Sequence, residues 1–238
     1  MSQVINTNVS ALFGGVALNK SKLGLQTAME RLSSGLRINS AKDDATGMVT
    51  ASGYESQMRG ANQAARNAAD GISTAQINDG YHQQIYQNLQ RLREIAVQLG
   101  GTASGSETTA LVAENTRILG LAGNTGAVVV NSNGGTLTGV GTKATIAGTL
   151  TVAGIDTDIT AVVNARATYG ADMATFQSAI NNLQTQSVNV AAAYSRVMDT
   201  DYAAETTNMT RNQILQQAGT AMLAQANQIP NNVLSLLR

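Results

Sequence analysis

The sequence predicts a mainly α protein, a long antiparallel helical hairpin packed as a coiled-coil bundle, with a small β-rich insert at its centre. Three observations predict it. Apolar residues recur in steps of three, four and seven through both arms of the 238-residue chain. Each arm carries one polar interruption. The composition lacks the bulky anchors of a globular core: aromatic residues are 3% and there is no Trp. Charged residues are 13%, about half the usual share. Ala, Asn, Gln, Ser, Thr and Gly dominate instead, which suits thin helices packing closely over a large area.

The first element follows from Val4, Ala11, Leu18, Leu25 and Leu32, which recur every seven residues, with Ile5, Val9, Leu12, Val16 and Leu23 widening the stripe. A terminal helix is predicted through residue 33. The stretch "RLSSGLRINSAKDDATGM", residues 31–48, breaks this spacing, and residues 34–50 read as a connector. Ser40 stands three residues before Asp43, as in a capping box. Asp43 and Asp44 suit the positive N-terminus of a following helix. A metal site in "KDD" or at Asp199 and Asp201 lacks histidine and a dense ligand set, so no metal or cofactor is expected.

Periodicity resumes at Ala51, Tyr54, Met58, Ala61, Ala65, Ala68, Ile72 and Ala75. It continues, after a phase slip, through Ile85, Leu89, Leu92, Ala96 and Leu99. A helix of about 50 residues would be roughly 75 Å long. Residues 51–122 and 161–198 form the predicted bundle. In the second arm Val162, Tyr169, Met173, Phe176, Ile180, Leu183, Val190, Tyr194 and Val197 hold one phase. That phase meets Asp201, Asn208 and Arg211, so residues 199–211 read as a second connector. It turns apolar again at Leu215, Ala218, Met222, Ile229 and Leu236, the terminal helix of residues 212–238. Between the arms, residues 123–160 are rich in Gly, Thr and Val, alternate over short runs, and predict β-hairpins on the surface.

Several function classes fall away. Formal net charge is zero, so the basic footprint of a nucleic-acid binder is missing. No run suits a membrane span or a cleaved secretory signal. "GGTLTGVGTK" lacks the Gly-Lys-Ser/Thr order of a phosphate loop. The single histidine, His82, falls on a polar helix patch and reads as solvated. One histidine supplies neither a zinc-protease motif nor a catalytic triad, so no enzyme is expected. The first acidic residue is Glu30 and none follows Glu205. Two acid-poor amphipathic ends predict mutual pairing, and two isolated helices share only one seam. These ends are expected to stay disordered in the monomer and to order only on self-assembly.

Long segments then carry a resemblance. "INTNVSAL", "RLSSGLRINSAKDDATGM", "LQRLREIAVQ", "SRVMDTDYAAE" and "QILQQAGTAMLAQANQIPNNVLSLL" resemble bacterial flagellin, in order, over residues 1–100 and 165–238. The resemblance implies a homopolymeric filament of the extracellular bacterial flagellum. Its terminal helices would form an inner tube, its bundle an outer tube, and the connectors would join them. Subunits of such a filament are exported unfolded by the flagellar type III system. Implied partners are the flagellar cap and hook-associated proteins and a flagellin export chaperone. Implied assembly residues are Val4, Ala11, Leu18, Leu25, Leu32, Leu215, Met222, Ile229 and Leu236. "LQRLREIAVQ" also resembles the surface bound by the flagellin-sensing Toll-like receptor of hosts. The matching residues are Arg91 and Ile95, expected one turn apart on one face, with Glu114 as a third contact. The short middle departs from the larger outer regions usual in the family. A hook–filament junction protein, or a helical secreted translocator or adhesin, is the alternative.

Overall fold

The computed structural model describes residues 7–123, 128–137 and 143–235. Five helices account for most of them: α1 Val9–Ser34, α2 Ala45–Gln98, α3 Ser106–Leu121, α4 Val152–Met198 and α5 Tyr202–Ser235. Strands β1 Val128–Val129 and β2 Thr136–Leu137 form one antiparallel pair. The mainly α class is borne out. By contact the chain divides into two compact units, residues 1–53 with 192–238, and residues 54–191.

In the first unit α1 and α5 pair antiparallel. Asn8 Nδ2 donates to the Ala226 carbonyl at 2.8 Å, Gly14 lies against Leu223, Leu18 against Gly219, and Gly24 against Asn212. The seam mixes small and polar residues with leucines, and Ser21 and Ala28 are buried in it. Asn8 caps α1 by accepting from Ala11 N at 3.1 Å. Gly35 ends it at φ 74°, a left-handed conformation that favours glycine.

The connector begins there. Leu36 bridges Asp199, and Arg37 N donates to the Met198 carbonyl at 2.6 Å. Ile38, Ala51 and Met198 form a small core, flanked by Leu36, Tyr194 and Val197. Asp43 reaches back as a capping box would: its Oδ2 accepts from Ser40 N at 3.0 Å, Ser40 Oγ at 3.1 Å and Asn39 N at 3.2 Å. These bonds close a turn, however. The cap of α2 is Asp44, whose Oδ1 accepts from Gly47 N at 2.8 Å.

In the second unit the core gathers Ala75, Ile85, Leu89, Leu92 and Ala96 of α2, Ile118 of α3, and Ile155, Val162 and Tyr169 of α4. Along α2 and α4, Ala61 and Ala64 meet Leu183, and Ala68 meets Phe176, so these helices run antiparallel. The predicted apolar phases are the buried faces. Leu99, placed at the end of the predicted seam, is exposed and just past α2.

The predicted insert is corrected in two respects. Among the described residues its β structure is the β1–β2 pair, closed by a turn in which Asn131 Oδ1 accepts from Asn133 N, and one bridge from Thr151 to Thr102. Residues 152–160, expected in the insert, are the first turns of α4. Ile155, 1% exposed, lies in the core there. Interspersed Gly154, Thr157 and Thr160 hide its helical spacing. Nor is the insert only a surface feature. Ala144 is buried, and Ile146 and Leu150 pack on the core. Residues 124–127 and 138–142 of the predicted insert lie outside the described residues.

His82 is a further correction. The polar patch expected around it faces inward: the ring is 0% exposed, as Asn78 at 2% nearly is. It lies 5.2 Å from the Tyr169 ring, centroid to centroid.

Candidate assembly surface

The α1–α5 pair sorts the apolar residues of both ends into two sets. Ala11, Leu18, Leu25 and Leu32 are half-buried on the seam toward α5. Val9, Leu12, Phe13, Val16, Leu23 and Met29 are exposed, with Phe13 at 76%. On α5, Ile214, Leu215 and Met222 are exposed, Met222 at 67%. Thus Leu215 and Met222, expected at assembly contacts, point away from the pair. The heptad set of α1 meets α5 of the same chain. Ile229 falls within α5, while Val4 and Leu236 lie outside the described residues. With Met29 and Ile214, Phe13 is an exposed residue that the period-seven pattern missed. Its neighbour Leu12 was in the widened stripe, and two adjacent bulky residues on a 3.6-residue helix were the signal.

The exposed faces flank a groove of about 440 Å³ lined by Phe13, Gly14, Ala17, Met222 and Ala226. At the other end of the pair, Glu205 is buried and sits 3.8 Å from Arg31. Exposed large apolar residues gather on this pair, a pattern that large interaction patches share. Among the described residues, no group of three or more acidic or histidine side chains comes together as metal ligands would.

Of the residues expected at a receptor surface, Ile95 falls differently from expectation. Arg91 is exposed and held from two sides: its Nε donates to Glu107 at 2.8 Å and its Nη1 to Glu94 at 3.1 Å. These bonds, that to Glu107 foremost, raise its pKa above the ordinary arginine value. Glu114 is partly exposed and takes both donors of Arg117, at 2.8 and 2.7 Å, which lowers its carboxyl pKa. Ile95 does not share the exposed face of Arg91. At 7% exposure it belongs to the core beside Leu92 and Ala96. One helical turn of four residues overshoots by about 40°, enough here to carry residue 95 from the rim into the packing.

The helical arms match known sequence families. Residues 5–122 match the bacterial flagellin N-terminal helical region, and residues 152–237 match the bacterial flagellin C-terminal helical region. The chain belongs to the bacterial flagellin family. Flagellin from Xenorhabdus nematophila is 37% identical, with all of both chains covered. The flagellar filament 33 kDa core protein of Treponema phagedenis is 36% identical, covering 99% of this chain and all of that protein. A flagellin of Salmonella muenchen reaches 53% identity over 120 residues, half of this chain and 24% of its own. As a flagellin, the chain is a structural subunit of the flagellar filament, is not an enzyme, and resides in the extracellular flagellum. The two flagellin regions leave residues 123–151 between them, where the hairpin and the segment carrying Ala144 lie.

Proposed function

We propose that the exposed apolar faces of α1 and α5 are the surfaces through which this flagellin polymerises, the paired terminal helices forming the inner tube of the filament. The observation that carries this is the pair's unpartnered outer face, with Phe13, Val16, Leu215 and Met222 in water. Removing apolar surface from water is the main favourable term in most protein association. The seam residues Ala11, Leu18, Leu25 and Leu32 serve assembly by holding the pair together. The subunit assignment is tested with Phe13→Asp, which changes no seam residue. Electron microscopy after salting-out should show no filaments, while circular dichroism keeps the helical signal. Normal filaments from this variant would remove the outer face from assembly.

Export in unfolded form by the flagellar type III system fits a chain whose terminal pair has so small an interior. Exposed apolar residues at both ends also need cover before assembly, which supports an export chaperone as a partner, with cap and hook-associated proteins meeting the same surfaces at the filament's ends. Host recognition by the flagellin-sensing Toll-like receptor would rest on Arg91 and Glu114, with Ile95 holding that turn of α2 from beneath. Arg91→Ala should lower activation of receptor-bearing cells by monomer at least about tenfold, roughly 1.4 kcal/mol. Undiminished activation by a folded variant would take the receptor role from Arg91.

A further inference from the structure

The one histidine of the chain is placed where a proton has consequences. His82 Nδ1 is 2.8 Å from the Asn78 carbonyl, one turn back on α2. Its Nε2 is 3.1 Å from the backbone nitrogen of Ala144. A carbonyl only accepts and a backbone N–H only donates. The partners therefore fix the ring: Nδ1 carries the proton, and Nε2 offers its lone pair to Ala144. The ring is neutral in this arrangement, and it is closed from the third side by Tyr169.

Ala144 belongs to residues 143–150, an irregular segment with few other ties. Ala147 N donates to Asp158 Oδ1, and the Leu150 carbonyl accepts from Ala103 N, both at 2.8 Å. Ile146 and Leu150 form one wall of a cavity of about 200 Å³, whose other walls include Leu89, Leu92, Leu119 and Ile155. The segment is thus the cover of an apolar space, and His82 fastens its leading end.

Putting a proton on Nε2 would face one N–H with another at 3.1 Å. The Ala144 bond would be lost, and a cation would sit beside an apolar core. The charged groups of the surrounding elements make their hydrogen bonds elsewhere. Asp79 of α2 holds Arg166 of α4, Asp158 takes Ala147, Glu114 and Arg117 of α3 bind each other, and Lys143 is exposed. Asp172 of α4 acts on Tyr169, whose hydroxyl is buried without a hydrogen-bond partner and whose pKa is raised, first by burial and then by that carboxylate. No carboxylate is hydrogen-bonded to the ring among the described residues.

We propose that His82 is a proton-operated latch: neutral, it pins residues 143–150 onto the bundle of α2, α3 and α4, and protonated, it releases them and opens the cavity beneath.

The test uses the full-length monomer. Deuterium exchange across residues 143–150 is measured at about pH 7.5 and about pH 5, with rates corrected for pH. Protection of the Ala144 amide should fall about tenfold or more at the lower pH, as expected for loss of one buried hydrogen bond. Protection around Ala61–Ala68 of α2 should stay as it was. His82→Gln keeps a donor and an acceptor but does not titrate, so the difference between the two pH values should vanish. Equal acid loss in that variant would assign the release to carboxylates such as Asp158 and overturn the latch. Should the variant leave the segment unprotected at both pH values, ring nitrogen-15 shifts of the wild-type chain decide. Protonation of Nε2 that coincides with loss of Ala144 protection upholds the latch, and a charged ring with Ala144 still protected overturns it. Unchanged protection in the wild-type chain overturns it outright.

Discussion

Gly60 on α2 has no room for a side chain, because a β-carbon there would stand 2.5 Å from the carbonyl oxygen of Ser132 in the hairpin turn. Backbone cannot yield as a flexible side chain can. The contact lets Val128 and Val130 reach Phe176 and Ala68, and lets Gln186 Nε2 donate to Ser132 Oγ at 3.3 Å. Gly60→Ala should lift the hairpin and cost about 1–3 kcal/mol, the range for forced overpacking. Urea unfolding gives the cost, and faster exchange at Val130, whose N–H bonds the Gly135 carbonyl, shows where it falls. A second single-residue effect lies at Asp43. The Ser40 backbone N–H, the Ser40 hydroxyl and the Asn39 N–H, in that order, favour its ionised form and hold its pKa below the ordinary value of 3.8. A carboxyl depressed by folding contributes stability above its unfolded pKa and loses it as pH falls through the folded one. The connector turn should therefore be intact at neutral pH and open in acid below about pH 4. The Ser40 amide resonance will follow that transition, and Asp43→Ala should abolish it by removing the turn's acceptor.

At the scale of elements, the helices were legible because their signal is long. Apolar residues from Ala51 to Ala96 and from Val162 to Val197 repeat over many turns, and tertiary packing used the same faces. Short elements had no such redundancy. The start of α4 carries its spacing on Ile155, Ile159 and Val162, diluted by Thr and Gly. The inward turn at Asn78 and His82 reads as polar because burial there is satisfied by backbone groups, Gly123 O for Asn78 and Asn78 O for His82, that a periodicity count cannot see. The assembly face was half legible: Leu215 and Met222 stood out, but which side of α1 meets α5 depends on a pairing that sequence spacing leaves open. The corrected insert alters what a deletion should do. Replacing residues 126–156 with a short Gly/Ser turn would remove Ala144, Leu150 and Ile155 from the core, not merely a surface hairpin. Such a chain should lose several kcal/mol, since each large apolar side chain taken from a packed site costs about 2–5 kcal/mol. Replacing residues 130–135 alone should leave Ala144 and Ile155 in place and the melting temperature within a few degrees. Thermal denaturation followed by circular dichroism separates the two outcomes.

For the whole molecule as a filament subunit, the composition of the α1–α5 pair sets the balance between chain and polymer. Its seam sets the half-buried Leu18, Leu25, Leu32 and Leu223 among Gly14, Ser21, Gly24, Ala28 and Gly219, while Leu12, Phe13, Val16, Leu23 and Met222 remain outside. If these outer residues are the assembly face, their burial is realised between copies. Burial of apolar surface carries a negative heat-capacity change, and its driving force fades as water is cooled. Filaments of this chain are thus expected to be cold-labile at their ends. The concentration of free subunit in equilibrium with them, measured by sedimentation, should rise between about 25 °C and about 4 °C. A value that holds steady or falls on cooling would mean that polar contacts, not Phe13 and its neighbours, carry the polymer.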